Sequence, residues 1–101
     1  MNYETVQNAI SSARKYPYLT KVGVFGSYAR GEDYNDIDII FEYDNSHEEY
    51  LDNIDDFMEE LETNISAKID YITLNSLMKG NPCNFRDAVL KDVKWLYVKH
   101  P

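Results

Sequence analysis

The chain has 101 residues, the size of one compact domain with a single core and too small for two. Its 44% hydrophobic and 14% aromatic content is that of a chain that folds, while ten Lys and Arg against 18 Asp and Glu exclude a protein that grips a phosphate backbone unaided. No apolar run approaches the roughly 20 residues of a membrane helix, and Met1-Asn2-Tyr3-Glu4 begins no leader, so a cytoplasmic chain without membrane or direct nucleic-acid partner is expected.

Val6, Ala9, Ile10 and Ala13 fall on one helical face, which predicts a helix over residues 4–15 ending at Arg14, Lys15 and Pro17. Leu19 to Phe25 is a short Val-containing run closed by Gly26-Ser27, as a buried strand would be. Tyr28 to Gly31 can then form a short helical turn. From Asp36 to Tyr43 the pattern alternates: Ile37, Ile39, Phe41 and Tyr43 point one way and Asp36, Asp38, Ile40 and Glu42 the other.

Ser46-x-x-Glu49 has the form of a capping box, and Leu51, Ile54, Phe57, Met58, Leu61 and Ile65 trace the apolar stripe of a second long helix. Lys68 to Leu74 reads as a strand in which Ile69 and Tyr71 enter the core and Asp70 leaves it. A helix from near Pro82, with Phe85, Ala88, Val89 and Asp92 roughly in phase, and a strand over Val93 to Val98 complete the chain. The order implies one domain over 1–101, of α/β or α+β class, with a mixed sheet of about four strands and helices packed against it. The lone Cys83 suits a reducing compartment and is expected to be a small, partly buried side chain.

Asp36-x-Asp38 is common by chance in a chain with ten Asp residues, so its meaning comes from context. Charge in the middle of an apolar strand is costly unless it reaches solvent or a cation. Positions two apart on one strand face lie about 6–7 Å apart, which lets two carboxylates share divalent ions. Asp70 on a neighbouring strand would add the third oxygen ligand. Gly26-Ser27, at a strand end and before a helical turn, has the placement of a phosphate cradle, to which Arg30 could add a charge-assisted contact.

Val24-Phe25-Gly26-Ser27-Tyr28-Ala29-Arg30-Gly31 followed by Asn35-Asp36-Ile37-Asp38-Ile39 resembles the nucleotidyltransferase superfamily that includes DNA polymerase β, and more closely its minimal nucleotidyltransferase (MNT) group. Lys68 to Ile72 stands where that family has its third acid, and Phe85 to Leu90 and Trp95 to Tyr97 resemble its last helix and strand. The eight residues between Ser27 and Asp36 are somewhat few for the family, and Asn35 stands where serine is frequent.

The resemblance implies that Asp36, Asp38 and Asp70 hold two Mg²⁺ ions, that Gly26 and Ser27, with Arg30, bind the nucleotide, and that ATP gives AMP to a hydroxyl. It further implies an antitoxin that modifies, at a tyrosine, a HEPN-domain ribonuclease toxin. Neither His47 nor His100 has an arginine at the upstream spacing of the ribonuclease motif of such toxins. Three other readings stay open: an antitoxin that acts by binding alone, an enzyme modifying a small hydroxyl compound such as an aminoglycoside, and a metal-binding domain without nucleotide. The acidic surface suits a basic partner, whereas most of the nine tyrosines are more simply packing at the core margin.

Overall fold

A computed structural model of the chain describes residues 3–44, 50–80 and 83–99. Helix α1 (Tyr3–Ile10) runs into a 3₁₀ turn (Ser11–Lys15), followed by β1 (Leu19–Phe25), the one-turn helix α2 (Gly26–Ala29), β2 (Asp36–Tyr43) and α3 (Tyr50–Asn64). After these come β3 (Lys68–Thr73), α4 (Leu74–Lys79), α5 (Asn84–Asp92) and β4 (Lys94–Val98). The strands form one mixed sheet in the order β3-β2-β1-β4, with β1 antiparallel to β2 and β4 and β2 parallel to β3. The parallel pair follows from the crossover through α3, since adjacent parallel strands need a long connection. The fold is α+β.

The period-two pattern of β2 divides the core between the two sheet faces. Ile37, Ile39 and Phe41, with Val22 and Val24 of β1, pack against Val6 and Ile10 of α1 and Phe57, Leu61 and Ile65 of the α3 side. Ile40 faces the other way, into a smaller cluster with Phe25 and Val89, flanked by Ile72, Leu77 and Trp95. Every tyrosine whose side chain is described, Tyr16, Tyr18, Tyr28, Tyr34, Tyr43, Tyr71 and Tyr97, lies in or against the larger cluster, as packing at a core margin requires.

Several elements differ from expectation for local reasons. The predicted helix over 4–15 tightens to 3₁₀ at its serine pair, where Ser11 Oγ donates to the Asn8 carbonyl at 2.6 Å; serine hydroxyls that bond nearby carbonyls disturb helical geometry. The strand predicted over Lys68 to Leu74 stops at Thr73, whose Oγ1 accepts from Ser76 N and starts α4, a helix the periodicity did not reveal. Asn75 then ties α4 to the end of β2, accepting from Tyr43 N at 3.1 Å and donating to Tyr43 O at 3.0 Å. Cys83 is exposed, not partly buried; its Sγ accepts from Arg86 N at 3.5 Å and caps α5. The expected capping box Ser46-x-x-Glu49, Pro82, His47 and His100 lie outside the described residues.

Gly23 decides how closely β4 can lie. The ladder shifts register between Val22 and Gly23, and a Cβ at 23 would sit 2.6 Å from the Lys94 carbonyl oxygen and 3.0 Å from the Trp95 ring. Trp95 therefore covers the glycine, and the Lys21 ammonium lies 5.3 Å from its ring centroid.

Candidate active site

One row across the sheet carries the acids. Asp38 stands opposite Phe25 of β1 on one side and opposite Asp70 of β3 on the other. Because side chains at paired positions share a face, Asp38 and Asp70 emerge together, with Asp36 one step earlier on the same face of β2. Ile40 and Ile72, the next pair along, are covered by α4 and α5, so the acids begin where that apolar cover ends.

Asp38 shows the electrostatic cost of this arrangement. Burial, and then the negative charges of Asp70 and Asp36, hold its carboxyl above the usual carboxylate range, with Arg30 pulling the other way. Asp38 and Asp36 are half-buried and Asp70 is exposed on the edge strand. Among the described residues no three His, Cys, Asp or Glu side chains are gathered closely enough to close a coordination shell as they stand. By donor type the set is nonetheless that of a hard divalent cation, all oxygen and all anionic, and the like-charge repulsion at Asp38 is what such a cation relieves.

The turn after β1 completes the site. Gly26 has φ +75°, in the left-handed region that favours glycine, and Arg30 N donates to its carbonyl at 3.1 Å to close α2. A methyl group at residue 26 would overlap Asp38 Oδ2, so the bare backbone here is what lets the turn lie against the carboxylate. Ser27 follows, half-buried, with its carbonyl accepting from Glu32 N at 3.0 Å. Gly26, Ser27, Asp36, Asp38 and Asp70 are thus brought to one end of the sheet.

Arg30 reaches this neighbourhood already engaged. Its Nε and Nη2 donate to the two carboxylate oxygens of Glu32 at 3.0 and 3.1 Å, and its Nη1 donates to Asp92 Oδ2 at 2.5 Å. The guanidinium therefore joins α2 to the end of α5 as well as offsetting Asp38. Asp92, which the sequence offered only as a helix position, is the residue missed here; no local spacing could have pointed to a partner 62 positions away.

The comparisons with known proteins concern the family and the fold. The family profile of polymerase β nucleotidyltransferases matches residues 7–101. Among solved structures, a minimal nucleotidyltransferase is similar with a TM-score of 0.67 at 23% identity over 93% of this chain and 95% of its own. A chain of a toxin–antitoxin complex with AMP-PNP has a TM-score of 0.62 at 24% identity over 92% and 73%. A third, from the tri-AMPylated Shewanella oneidensis HEPN toxin in complex with MNT antitoxin, has a TM-score of 0.59 at 20% identity over 95% and 72%. At these identities the likeness is one of fold. No curated protein matches the chain in sequence. With its profile spanning nearly the whole chain and its fold shared with these structures, the protein belongs to the polymerase β nucleotidyltransferase family.

Proposed function

We propose that this chain is an antitoxin-type nucleotidyltransferase that moves AMP from ATP to a hydroxyl, a tyrosine in the simplest case, of a cognate HEPN ribonuclease toxin. The observation that carries the reading is the registered row of Asp38 and Asp70 beside the Gly26-Ser27 turn, with Asp36 on the same face. In this reading Gly26 and Ser27 bind the β and γ phosphates, with backbone N–H groups at the start of a helical turn as donors. Asp36, Asp38 and Asp70 would hold two Mg²⁺ ions, which supply charge neutralisation of the triphosphate and acidify the acceptor hydroxyl. Asp70, exposed on the edge strand, faces the acceptor and receives its proton. The acceptor oxygen forms a bond to the α-phosphorus as the bond from that phosphorus to the departing pyrophosphate breaks.

A protein acceptor is favoured by the open face of the site. Among the described residues neither apolar cluster includes or covers Asp36, Asp38 or Asp70, which leaves that face for a partner's surface. The similar structures include an antitoxin complexed with a tri-AMPylated HEPN toxin and a toxin–antitoxin with AMP-PNP, which supports the same acceptor and nucleotide here. The formal charge of −8 also suits a basic, RNA-cleaving partner. Labelled ATP, Mg²⁺, the chain and a cognate HEPN-domain toxin should yield labelled toxin, and the double substitution Asp36→Asn, Asp38→Asn should abolish labelling and neutralisation together. A double variant that still neutralises would establish antitoxin action by binding alone and sink the catalytic reading.

A further inference from the structure

Phe85 is the most exposed large apolar side chain among the described residues, at 55%. The sequence placed it on the core face of α5, yet Val89 fills that role and Phe85 is left at the surface. Its ring meets Phe25 edge-on, with centroids 6.5 Å apart and planes at 83°. Phe25 is the residue that pairs with Asp38 and directly precedes Gly26. The exposed ring therefore stands at the border of the acidic row, beside the strand that delivers the phosphate-binding turn.

Phe85 also lines a groove of about 430 Å³, together with Ile72 and Leu77 of the smaller cluster and with Phe41, Met58 and Tyr71 of the larger one. Ile72 lies two residues beyond Asp70 on the same face of β3, about 6–7 Å along the strand. That is the separation a ribose puts between a phosphate and its base. The groove has the volume and the mainly apolar lining of a small-molecule site, and Phe85 is the lining residue that also touches Phe25, the neighbour of Gly26.

We propose that Phe85 is the nucleobase platform of this enzyme: the purine of the nucleotide stacks on its ring, with the outer edge of the base entering the groove between Ile72 and Leu77. The proposal rests on the nucleotidyltransferase reading above and adds to it the residue that binds the base. Stacking is available to any base, because each has a π face, so the platform favours purines by area without strong choice between adenine and guanine. A phenol of the acceptor could use the same ring chemistry, but in the reading above the polyphosphate lies on Gly26-Ser27, next to Phe25, and the base of the same nucleotide is the planar group that follows it.

Calorimetric titration of the full chain with ATP and with inorganic tripolyphosphate, both with Mg²⁺, tests this directly. Phe85→Ala should weaken ATP about 5- to 150-fold, the range of one base on one aromatic ring, and leave tripolyphosphate unchanged. Phe85→Trp should keep wild-type affinity for ATP, and Phe85→Leu, which retains apolar area without a π face, should lose most of it. Unchanged ATP affinity in Phe85→Ala, or equal weakening of ATP and tripolyphosphate, overturns the platform and leaves the nucleotide reading intact. A wild-type chain that binds neither ligand overturns the nucleotide reading and the platform with it.

Discussion

Gly26 and Asp38 occupy one space: the position a Cβ would take on the glycine overlaps Oδ2 of the aspartate. The Gly26-Ser27 turn and the half-buried acid are thus packed backbone against carboxylate, and the left-handed φ of +75° at Gly26 is part of the same fit. Glycine is required at 26 by conformation and by volume at once.

Gly26→Ala should therefore cost about 1–3 kcal/mol in chemical denaturation, from backbone strain and from displacement of Asp38. Part of that cost should return in Gly26→Ala, Asp38→Ala, because the second change removes the overlapped oxygen. A double-mutant cycle with no coupling would show that the turn and the acid are independent.

The raised carboxyl of Asp38 makes stability depend on pH in a defined direction. Its folded pKa lies above the ordinary 3.8, so the folded chain holds this proton more tightly than the unfolded chain. Its stabilising contribution is full below that ordinary value and is lost as pH rises through the folded value, leaving the metal-free chain less stable near neutrality. Asp38→Asn should flatten that slope and raise the metal-free melting temperature at pH 7. Added Mg²⁺ should raise the melting temperature of the wild type and move the variant much less. Thermal melts across pH 4–8 with and without Mg²⁺ are the check; a variant less stable than wild type at neutral pH would count against repulsion at this row.

Arg30, Glu32 and Asp92 join α2 to the end of α5 on an exposed surface. Asp92→Ala should leave global stability nearly unchanged while raising hydrogen exchange at the amides of residues 26–31, since the clamp acts locally. Arg30→Lys should do the same, because an ammonium cannot serve both oxygens of Glu32 and reach Asp92 together. Exchange as slow as wild type in both would remove Arg30 from the support of the turn.

Phe57 anchors the larger core, fully buried and edge-on to Phe41 and Tyr16. Phe57→Ala should cost about 3–5 kcal/mol, a large share of the total stability of a chain this size. Phe85→Ala, at an exposed ring, should cost far less, and comparing the two denaturation midpoints checks the division between core and surface rings.

Much of the fold was legible because its signals are local. Strand β2 shows its two faces through alternation, so Asp36 and Asp38 could be placed opposite the Ile37, Ile39 and Phe41 face from sequence alone, and the α3 stripe is carried by side chains three and four apart. Helix α4 was hidden, since six residues give too little periodicity and Leu74 extends the preceding strand pattern equally well. Phe85 was in phase with Val89 yet is exposed, since helical phase alone does not show how far along a helix the packing partner extends.

The sequence by itself determined what each strand carries to which face, because that depends only on the two-residue period of the backbone. It also marked Gly26-Ser27 as a turn at a strand end. Only the tertiary structure decided that Asp70 stands opposite Asp38, that Gly26 yields its missing side-chain space to that carboxylate, and that Arg30 is held by Asp92. These relationships join positions from 12 to 62 residues apart, and such contacts come from strand register and packing across the sheet, which no local pattern encodes.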